Sequence, residues 1–177
     1  VLNALDARTS GTINASSITT LSGSAADLIS AYAASGSAIS GLGNEAVNVS
    51  SGTASKSQAN DLAAATSAVV SATISDGDMA TLAGLTETGN AYAITITDTS
   101  VAAAALNSLD GKTTVAINGS NITTLSGSAA DLNTAYTSSG ISNLGNEAVT
   151  LTDSSLNASV LNALDARTSG TINASSI

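Results

Sequence analysis

Alternating apolar and polar residues mark several short strands along the chain. Residues 94–97 read Ile-Thr-Ile-Thr and residues 149–152 read Val-Thr-Leu-Thr, which places apolar side chains on one face and hydroxyls on the other. Strict alternation predicts half-buried β-strands. We expect one parallel row of strands with the following central residues: Ile13, Val49, Ile74, Ile96, Ile117, Leu151 and, in a further copy, Ile172.

A helical pattern follows the strand segments. In residues 98–110, DTSVAAAALNSLD, one helical face would carry Val101, Ala105, Leu106 and Leu109. Asn107 would then be exposed. The segments SGSAADLISAY and SGSAADLNTAY each predict an added helix with its loop, and Gly or Ser-Gly turns would end the helices.

The sequence repeats at two length scales. Residues 1–18 recur unchanged as residues 160–177. Shorter matches are ITTLSGSAADL at 18–28 and 122–132, LGNEAV at 42–47 and 144–149, and LN-x-LD at 2–6, 106–110 and 161–165. We therefore expect one solenoid domain over 1–177, comprising a 159-residue repeat (1–159) and the start of the next (160–177), cut from a longer array.

The predicted fold is an α/β, right-handed β–α solenoid of about six coils, with a parallel sheet and helices on one face. The strands alternate, whereas a parallel sheet covered on both faces would read as continuous apolar runs. A pure parallel β-helix is the alternative, in which Ala-rich segments such as 62–65 and 101–106 form further strands. The helix propensity of Ala favours the first fold.

Composition predicts an ordered and acidic protein. Hydrophobic residues make up 43% and charged residues 10% of the chain, and Pro is absent, which is the opposite of a disordered composition. The net charge of −9, with only four scattered Lys and Arg residues, argues against a nucleic-acid partner. No apolar run reaches the roughly 18 residues of a membrane helix, so we expect no membrane insertion.

Residue types also limit the chemistry of the chain. It contains no His or Cys, and no G-x-S-x-G motif that would position a nucleophilic Ser. Asp6, Asp110 and Asp165 close the LN-x-LD motif and recur with it, which indicates a structural role. We therefore predict no enzymatic activity and no cofactor.

Asp residues follow three strand centres at a fixed distance. Asp76, Asp98 and Asp153 each lie two residues beyond a centre and are predicted to cap helix N-termini. The alternative is a weak calcium site formed by Asp76, Asp78 and Asp98, because carboxylates on adjacent coils would stack about 4.8 Å apart. The chain has no EF-hand loop or GGxGxD repeat.

The outward strand positions form a candidate surface-binding ladder. Short hydroxyl and amide side chains in a flat array could match a regular surface such as glycan, mineral or ice. The competing interpretation is that Thr is a good strand residue on a wet face. The ladder residues are Thr12, Asn14, Asn48, Ser50, Thr73, Ser75, Thr95, Thr97, Thr150 and Thr152.

The sequences of the repeats resemble those of a known protein family. The segments TSGTINASSITTLSGSAADL, SNLGNEAVTLTD and ASVLNALDARTSGT resemble repeats of the giant cell-surface or secreted proteins of marine cyanobacteria. These are the Synechococcus-type proteins, including the kind linked to swimming motility. The resemblance implies an extracellular or cell-surface location and a scaffold or adhesive role, and it brings no catalytic residues.

These observations favour a structural spacer whose length is set by repeat number. The alternative is a surface-adhesion module that binds glycan, mineral or ice through the exposed ladder. The expected partners are neighbouring repeats of the same chain. Because the chain would begin and end inside a repeat, its end faces are expected to fray or to associate end to end.

Overall fold

The computed structural model describes all 177 residues as seven helices and twelve short strands. The helices are α1 Leu2–Asp6, α2 Ala25–Ala33, α3 Lys56–Ala65, α4 Met79–Leu82, α5 Ala103–Asp110, α6 Ala129–Thr137 and α7 Ala158–Asp165. The strands are β1 Ile13–Asn14, β2 Thr20–Ser24, β3 Ile39–Ser40, β4 Ala46–Ser51, β5 Val70–Thr73, β6 Ala91–Ala93, β7 Ser100–Ala102, β8 Ile117–Asn118, β9 Thr124–Gly127, β10 Ile141–Ser142, β11 Ala148–Leu151 and β12 Ile172–Asn173.

All strand pairs are parallel, which confirms the predicted α/β class with parallel sheets. By its contacts the chain divides into two compact units. The first comprises residues 1–75 and 85–93, and the second comprises residues 76–84 and 94–177. Each unit is built from a four-stranded sheet, a separate two-stranded sheet and the helices that connect successive strands.

In the first unit the four-stranded sheet has the order β2-β4-β5-β6, and β1 pairs with β3. Leu21 lies beside Val47, and Val47 lies beside Val70, so three successive passes of the chain contribute to one column. Val47 and Val70 are fully buried. The column of apolar side chains is therefore a core to which successive passes of the chain contribute. We call each pass, from one strand of a four-stranded sheet to the next, a coil.

The second unit repeats this arrangement. Its four-stranded sheet has the order β7-β9-β11-β12, and β8 pairs with β10. Val101, Leu125, Val149 and Ile172 form one apolar column, with one residue from each of the four strands. The nearly even spacing of these residues along the chain is that of a small repeat nested within the large one.

The predicted single row of strand centres is wrong. Ile13 pairs with Ile39 and Ile117 pairs with Ile141, both in two-stranded sheets, whereas Val49 and Leu151 lie in four-stranded sheets opposite Gly23 and Gly127. Ile74 and Ile96 are buried residues outside the named strands. The pattern merged two ladders because strands of both ladders alternate with the same period of two.

The SGSAADL segments form helices, as predicted. Ser24 and Ser128 are the N-caps of α2 and α6, and each hydroxyl accepts a hydrogen bond from the N–H three residues later. Helix α5 differs from the prediction because it begins at Ala103. Val101 is therefore a buried strand residue, Ala105 is exposed, and the buried helix face consists of Ala103, Leu106 and Leu109.

The LN-x-LD motif joins its helix to the next coil. The Nδ2 of Asn107 donates to the carbonyl of Asp131 at 2.9 Å, and Asn3 makes the same bond to Asp27 at 2.9 Å. Asp110 Oδ2 accepts a hydrogen bond from the Ser138 hydroxyl at 2.6 Å. The prediction that Asn107 is exposed is wrong, because its amide lies partly buried between two coils.

Gly11 and Gly170 occupy the same position of the repeated segment, but another coil packs closely only against Gly170. A Cβ on Gly170 would collide with the backbone oxygen of Glu147, whereas a Cβ on Gly11 would find only Thr9 Oγ1, at 3.5 Å. Gly170→Ala should cost about 1–3 kcal/mol of unfolding free energy through overpacking, and Gly11→Ala should cost much less. Urea unfolding of both variants measures this, and equal losses would contradict the coil contact.

Candidate functional site

The predicted ladder residues of the first unit are all exposed but do not form one column. Asn48 lies between Ser22 and Ser71 in the four-stranded sheet. Asn14 pairs with Ser40 in the two-stranded sheet, and its Oδ1 accepts a hydrogen bond from the N–H of Ser16. The remaining ladder residues of this unit are Thr12, Ser50, Thr73 and Ser75, all exposed.

The ladder residues of the second unit are also distributed over two sheets. Thr150 is half-buried and lies between Ser126 and Asn173 in the four-stranded sheet. Thr95 is exposed and forms a bridge with Asn118. Thr97 and Thr152 are exposed. The strand pairs therefore bring none of these residues into register with another predicted ladder residue.

The outward columns that do form contain mixed side chains. In the first unit the column runs Ser22, Asn48, Ser71 and Ala91. In the second unit it runs Ala102, Ser126, Thr150 and Asn173. Adjacent strands are about 4.8 Å apart, so each column spans about 14 Å. Each column has three adjacent hydrogen-bonding side chains and ends in an Ala, Ala91 in the first unit and Ala102 in the second.

Three of the Asp residues considered as caps or calcium ligands bond to helix N-termini in the second unit. Asp78, and not Asp76, is the N-cap of α4, and its Oδ1 accepts from the N–H of Thr81 at 2.8 Å. Asp98 Oδ2 accepts from the N–H of Met79 at 2.6 Å, and Asp153 Oδ2 accepts from the N–H of Ala129 at 2.7 Å. Asp98 and Asp153 thus cap the helix of a preceding coil and not their own.

These bonds engage one carboxylate oxygen each of Asp78 and Asp98 with backbone N–H groups. Hydrogen bonds from the Thr81 backbone and hydroxyl hold the pKa of Asp78 below its ordinary value, so the charged form is already stabilised by the protein. No group of three or more acidic side chains in the structure is placed to hold a metal ion. Asp76, Asp78 and Asp98 therefore do not converge as a metal site.

Calcium should have little effect on the stability of the chain. The capping bonds of Asp78 and Asp98 already stabilise these carboxylates, so we expect equal melting temperatures in calcium and in chelator. Thermal unfolding followed by circular dichroism measures the difference. A rise of many degrees in calcium would contradict this assignment, because a ligand bound only by the folded state stabilises it.

Sequence reasoning missed the most deeply buried charged groups of the protein. Glu45 and Glu147, from the two LGNEAV segments, are 1% and 0% exposed. Glu45 accepts hydrogen bonds from the Tyr32 hydroxyl and from the N–H groups of Gly43 and Asn44. Glu147 accepts from the Tyr136 hydroxyl at 3.1 Å and from the N–H of Gly145 at 2.8 Å.

Each Glu also connects to the following coil through its backbone. Thr66 Oγ1 donates to the carbonyl of Glu45 at 2.7 Å, and Thr168 Oγ1 donates to the carbonyl of Glu147 at 2.7 Å. Burial alone raises the pKa of Glu45, but the hydrogen bonds from Tyr32 and the loop N–H groups outweigh it and lower that pKa. The bonds from Tyr32 and the loop therefore hold the buried Glu45 carboxylate in its charged form, and the Thr66 bond to the Glu45 carbonyl joins this network to the following coil.

One sequence signal could have identified this network. Glu is almost never fully buried unless it is paired, yet each LGNEAV segment places its Glu a short distance after a Tyr, at 32 and 45 and again at 136 and 147. Three Tyr residues are the only aromatics, and two of them precede the repeated Glu. A recurring Tyr and Glu in an otherwise aliphatic protein indicates a buried pair.

All three Tyr side chains should resist ionisation. Burial raises the pKa of Tyr92 and Tyr136 to about 12, and burial together with Glu45 raises that of Tyr32 further. A raised folded pKa contributes stability that is present below the unfolded value of 10.0 and lost as the pH rises through about 12. Tyrosinate absorbance should therefore appear together with unfolding, and stepwise ionisation of the folded chain near the ordinary value would contradict this.

No helix in the structure combines the length and apolar character needed to cross a membrane.

The candidate sites consist of mixed polar columns on the outside and of coil-to-coil networks inside. No family model matches the chain, and comparisons with curated proteins and with solved structures find no match either.

Proposed function

We propose that the chain is a structural spacer module without enzymatic activity. One observation carries the proposal: the side chains that recur in the sequence are engaged in contacts between coils. The Thr66 and Thr168 hydroxyls donate to the backbone carbonyls of the repeated Glu in the preceding coil, and the Asn3 and Asn107 amides donate to backbone carbonyls of the next helix. Contacts that only join a coil to its neighbour are what a chain of stacked repeats requires.

The proposed architecture is a solenoid of about six coils per 159-residue repeat. One observation supports the number, and a second supports the stacking. Helices α1 to α6 lie within residues 1–159, and α7 contains the second copy of the α1 sequence. Strands from successive passes of the chain also stack in register within each unit. Further copies would extend the same columns.

The proposed location is extracellular or at the cell surface, within a giant repeat protein of the cyanobacterial kind that the sequence resembles. The acidic and Cys-free composition suits a chain exposed to varied surroundings. In such a protein a run of these repeats would separate a terminal domain from the cell.

Small-angle X-ray scattering on chains with one and two copies of the 159-residue repeat tests the spacer function. At about 4.8 Å per coil, six further coils should lengthen the particle by about 29 Å without changing its cross-section. Two beads joined by a flexible segment would contradict a rigid spacer. A scrambled-sequence linker of equal length between two repeats provides the flexible control.

The alternative function is adhesion through the outward strand face. The specific observation in its favour is the row of three hydrogen-bonding side chains in each outward column, Ser22-Asn48-Ser71 and Ser126-Thr150-Asn173. A glycan array and an ice-recrystallisation assay test it. Binding that is lost in Asn48→Ala and Thr150→Ala would support adhesion, whereas a spacer should bind in neither assay.

A further inference from the structure

Asn118 and Gly119 form the only Asn-Gly pair in the sequence. A glycine after an asparagine leaves the backbone nitrogen without the steric shield of a Cβ, so this nitrogen can attack the amide carbon of the asparagine side chain. The equivalent pair in the first unit is Asn14 and Ala15, where the Ala methyl group hinders that attack. The two units therefore differ in chemical reactivity at one equivalent position.

The reaction open to this pair is the loss of ammonia from the asparagine. The Gly119 nitrogen forms a bond to Asn118 Cγ, its proton passes to solvent, and the Cγ–Nδ2 bond breaks to release ammonia. Water then opens the resulting succinimide ring. Cleavage next to Cγ leaves an aspartate with an ordinary backbone, whereas cleavage at the backbone carbonyl leaves an isoaspartate whose backbone runs through the side-chain carbon.

The fold holds the attacking nitrogen in another hydrogen bond. The N–H of Gly119 donates to the carbonyl of Ser142 at 3.0 Å, next to the paired strands β8 and β10. Gly119 is buried, and the Leu144 side chain lies 3.0 Å from the position that a Cβ on Gly119 would occupy. The nitrogen cannot turn toward the side chain of Asn118 unless this contact with the following strand is broken.

Asn118 is held on both sides as well. Its N–H donates to the carbonyl of Ile94 at 2.9 Å, and its carbonyl accepts from the N–H of Ile96 at 3.0 Å. Its side-chain Oδ1 accepts from the N–H of Ser120 at 3.1 Å and from Nδ2 of Asn143 at 2.8 Å. These bonds fix both the backbone and the side-chain dihedral angles that the attack would have to change.

The contact from Asn143 is specific to the unit that carries the reactive pair. Asn143 has a φ of 63°, a left-handed conformation that a residue with a Cβ rarely adopts, and its equivalent in the first unit is Gly41. The side chain that binds Asn118 is thus kept in a conformation that would suit a glycine better. The unit with the less reactive Asn14 has no such side chain.

We propose that Asn118 is a site of spontaneous deamidation that the folded chain keeps closed through Ser142 and Asn143, and that opens when β10 separates from β8. The isoaspartate product adds a backbone atom to β8, which moves the N–H of Gly119 out of register with the Ser142 carbonyl. The strands then cannot pair as before, so the modification records irreversibly that this part of the chain has opened. This inference does not depend on the spacer function.

Peptide mapping by mass spectrometry, after incubation at mildly alkaline pH, measures the conversion of Asn118. A free peptide of residues 114–122 should convert at least about tenfold faster than the folded chain, because the reaction in the fold has to await local opening. In urea-unfolded chains the conversion should be fast and should be largely lost in Gly119→Ala. A peptide that does not convert, or a folded chain that converts as fast as the peptide, would overturn the proposal.

A matched pair of variants tests the role of Asn143 in the full chain. Asn143→Asp keeps the size of the side chain and its tolerance of the left-handed conformation, but it removes the Nδ2 donor and should speed the conversion several-fold. Asn133→Asp adds the same charge at an exposed position of α6 and should leave the rate unchanged. Equal rates in the two variants would overturn the closing role of Asn143.

The unaltered chain provides a second readout if circular dichroism shows that Asn143→Asp does not fold. Conversion of Asn118 should then rise with urea concentration below the unfolding midpoint, because urea favours the opening that exposes the pair. A rate that does not change with urea would overturn the proposal that separation of β10 from β8 controls the site.

Discussion

Leu164→Ala should lower the free energy of unfolding by about 2–5 kcal/mol, whereas Leu5→Ala should lower it by well under half as much. The two residues occupy the same position of the same repeated segment, 1–18 and 160–177. Leu164 is 2% exposed and Leu5 is 49% exposed. Removing the buried side chain leaves a cavity, while the exposed one loses few contacts.

Urea unfolding followed by circular dichroism gives both values, and amide hydrogen exchange in α7 shows whether the loss is local. Both variants make the same Leu→Ala change, but α1 has five residues and no side-chain cap whereas α7 has eight residues and an Asn157 cap. Hydrogen exchange in the two helices therefore separates helix fraying from loss of packing between coils. Equal losses would mean that the two copies are covered to the same extent.

Glu147→Ala should destabilise the protein by about 1.5–3 kcal/mol, because it removes charge-assisted hydrogen bonds from Tyr136 and the Gly145 N–H. It also leaves both buried donors without an acceptor. Tyr136→Phe removes only the hydroxyl and should cost about 0.5–1.5 kcal/mol. If Tyr136→Phe lowers the free energy of unfolding as much as Glu147→Ala does, the Tyr136 hydroxyl, and not the Gly145 N–H, supplies most of the stabilisation.

The equivalent network around Glu45 predicts how the free energy of unfolding depends on pH. The pKa of Glu45 is lower in the folded chain than its ordinary value of 4.5. Its contribution is therefore fully present above that value and is lost as the pH falls through the folded pKa. Glu45→Gln should make stability less dependent on pH in this acid range, as measured by urea unfolding at a series of pH values. An unchanged acid profile would contradict a charged Glu45.

Local patterns predicted the elements of this protein better than their pairing. The SGSAADL segments gave helices because a Ser cap, an early Asp and spaced Leu and Ala side chains all act within one segment. Alternation identified Ile13 and Val149 as strand residues, but it contains no information on which strand lies beside which. Pairing of Ile13 with Ile39, which lies beyond α2, depends on how the intervening helix and loop return the chain.

The candidate sites show the same limit. The capping role of Asp98 was predicted, but the helix that it caps begins 19 residues earlier in the chain. Glu45 and Glu147 were missed because a single Glu is ordinarily a surface residue, and its burial depends on a Tyr and a loop that the fold brings together. Sequence reasoning therefore identified residue types suited to capping, but it could not identify partners that the fold brings in from another part of the chain.

Because Asp153 follows α6 in the chain, the ribosome synthesises this helix before one of its N-terminal hydrogen-bond acceptors. The N–H of Ala129, at the start of α6, is bound by Asp153, which follows 24 residues later in the chain. At a synthesis rate of about 5–20 residues per second, the ribosome needs roughly 1–5 s to add that many residues. During translation α6 therefore has its local Ser128 cap but lacks the Asp153 bond to Ala129 until the following coil emerges.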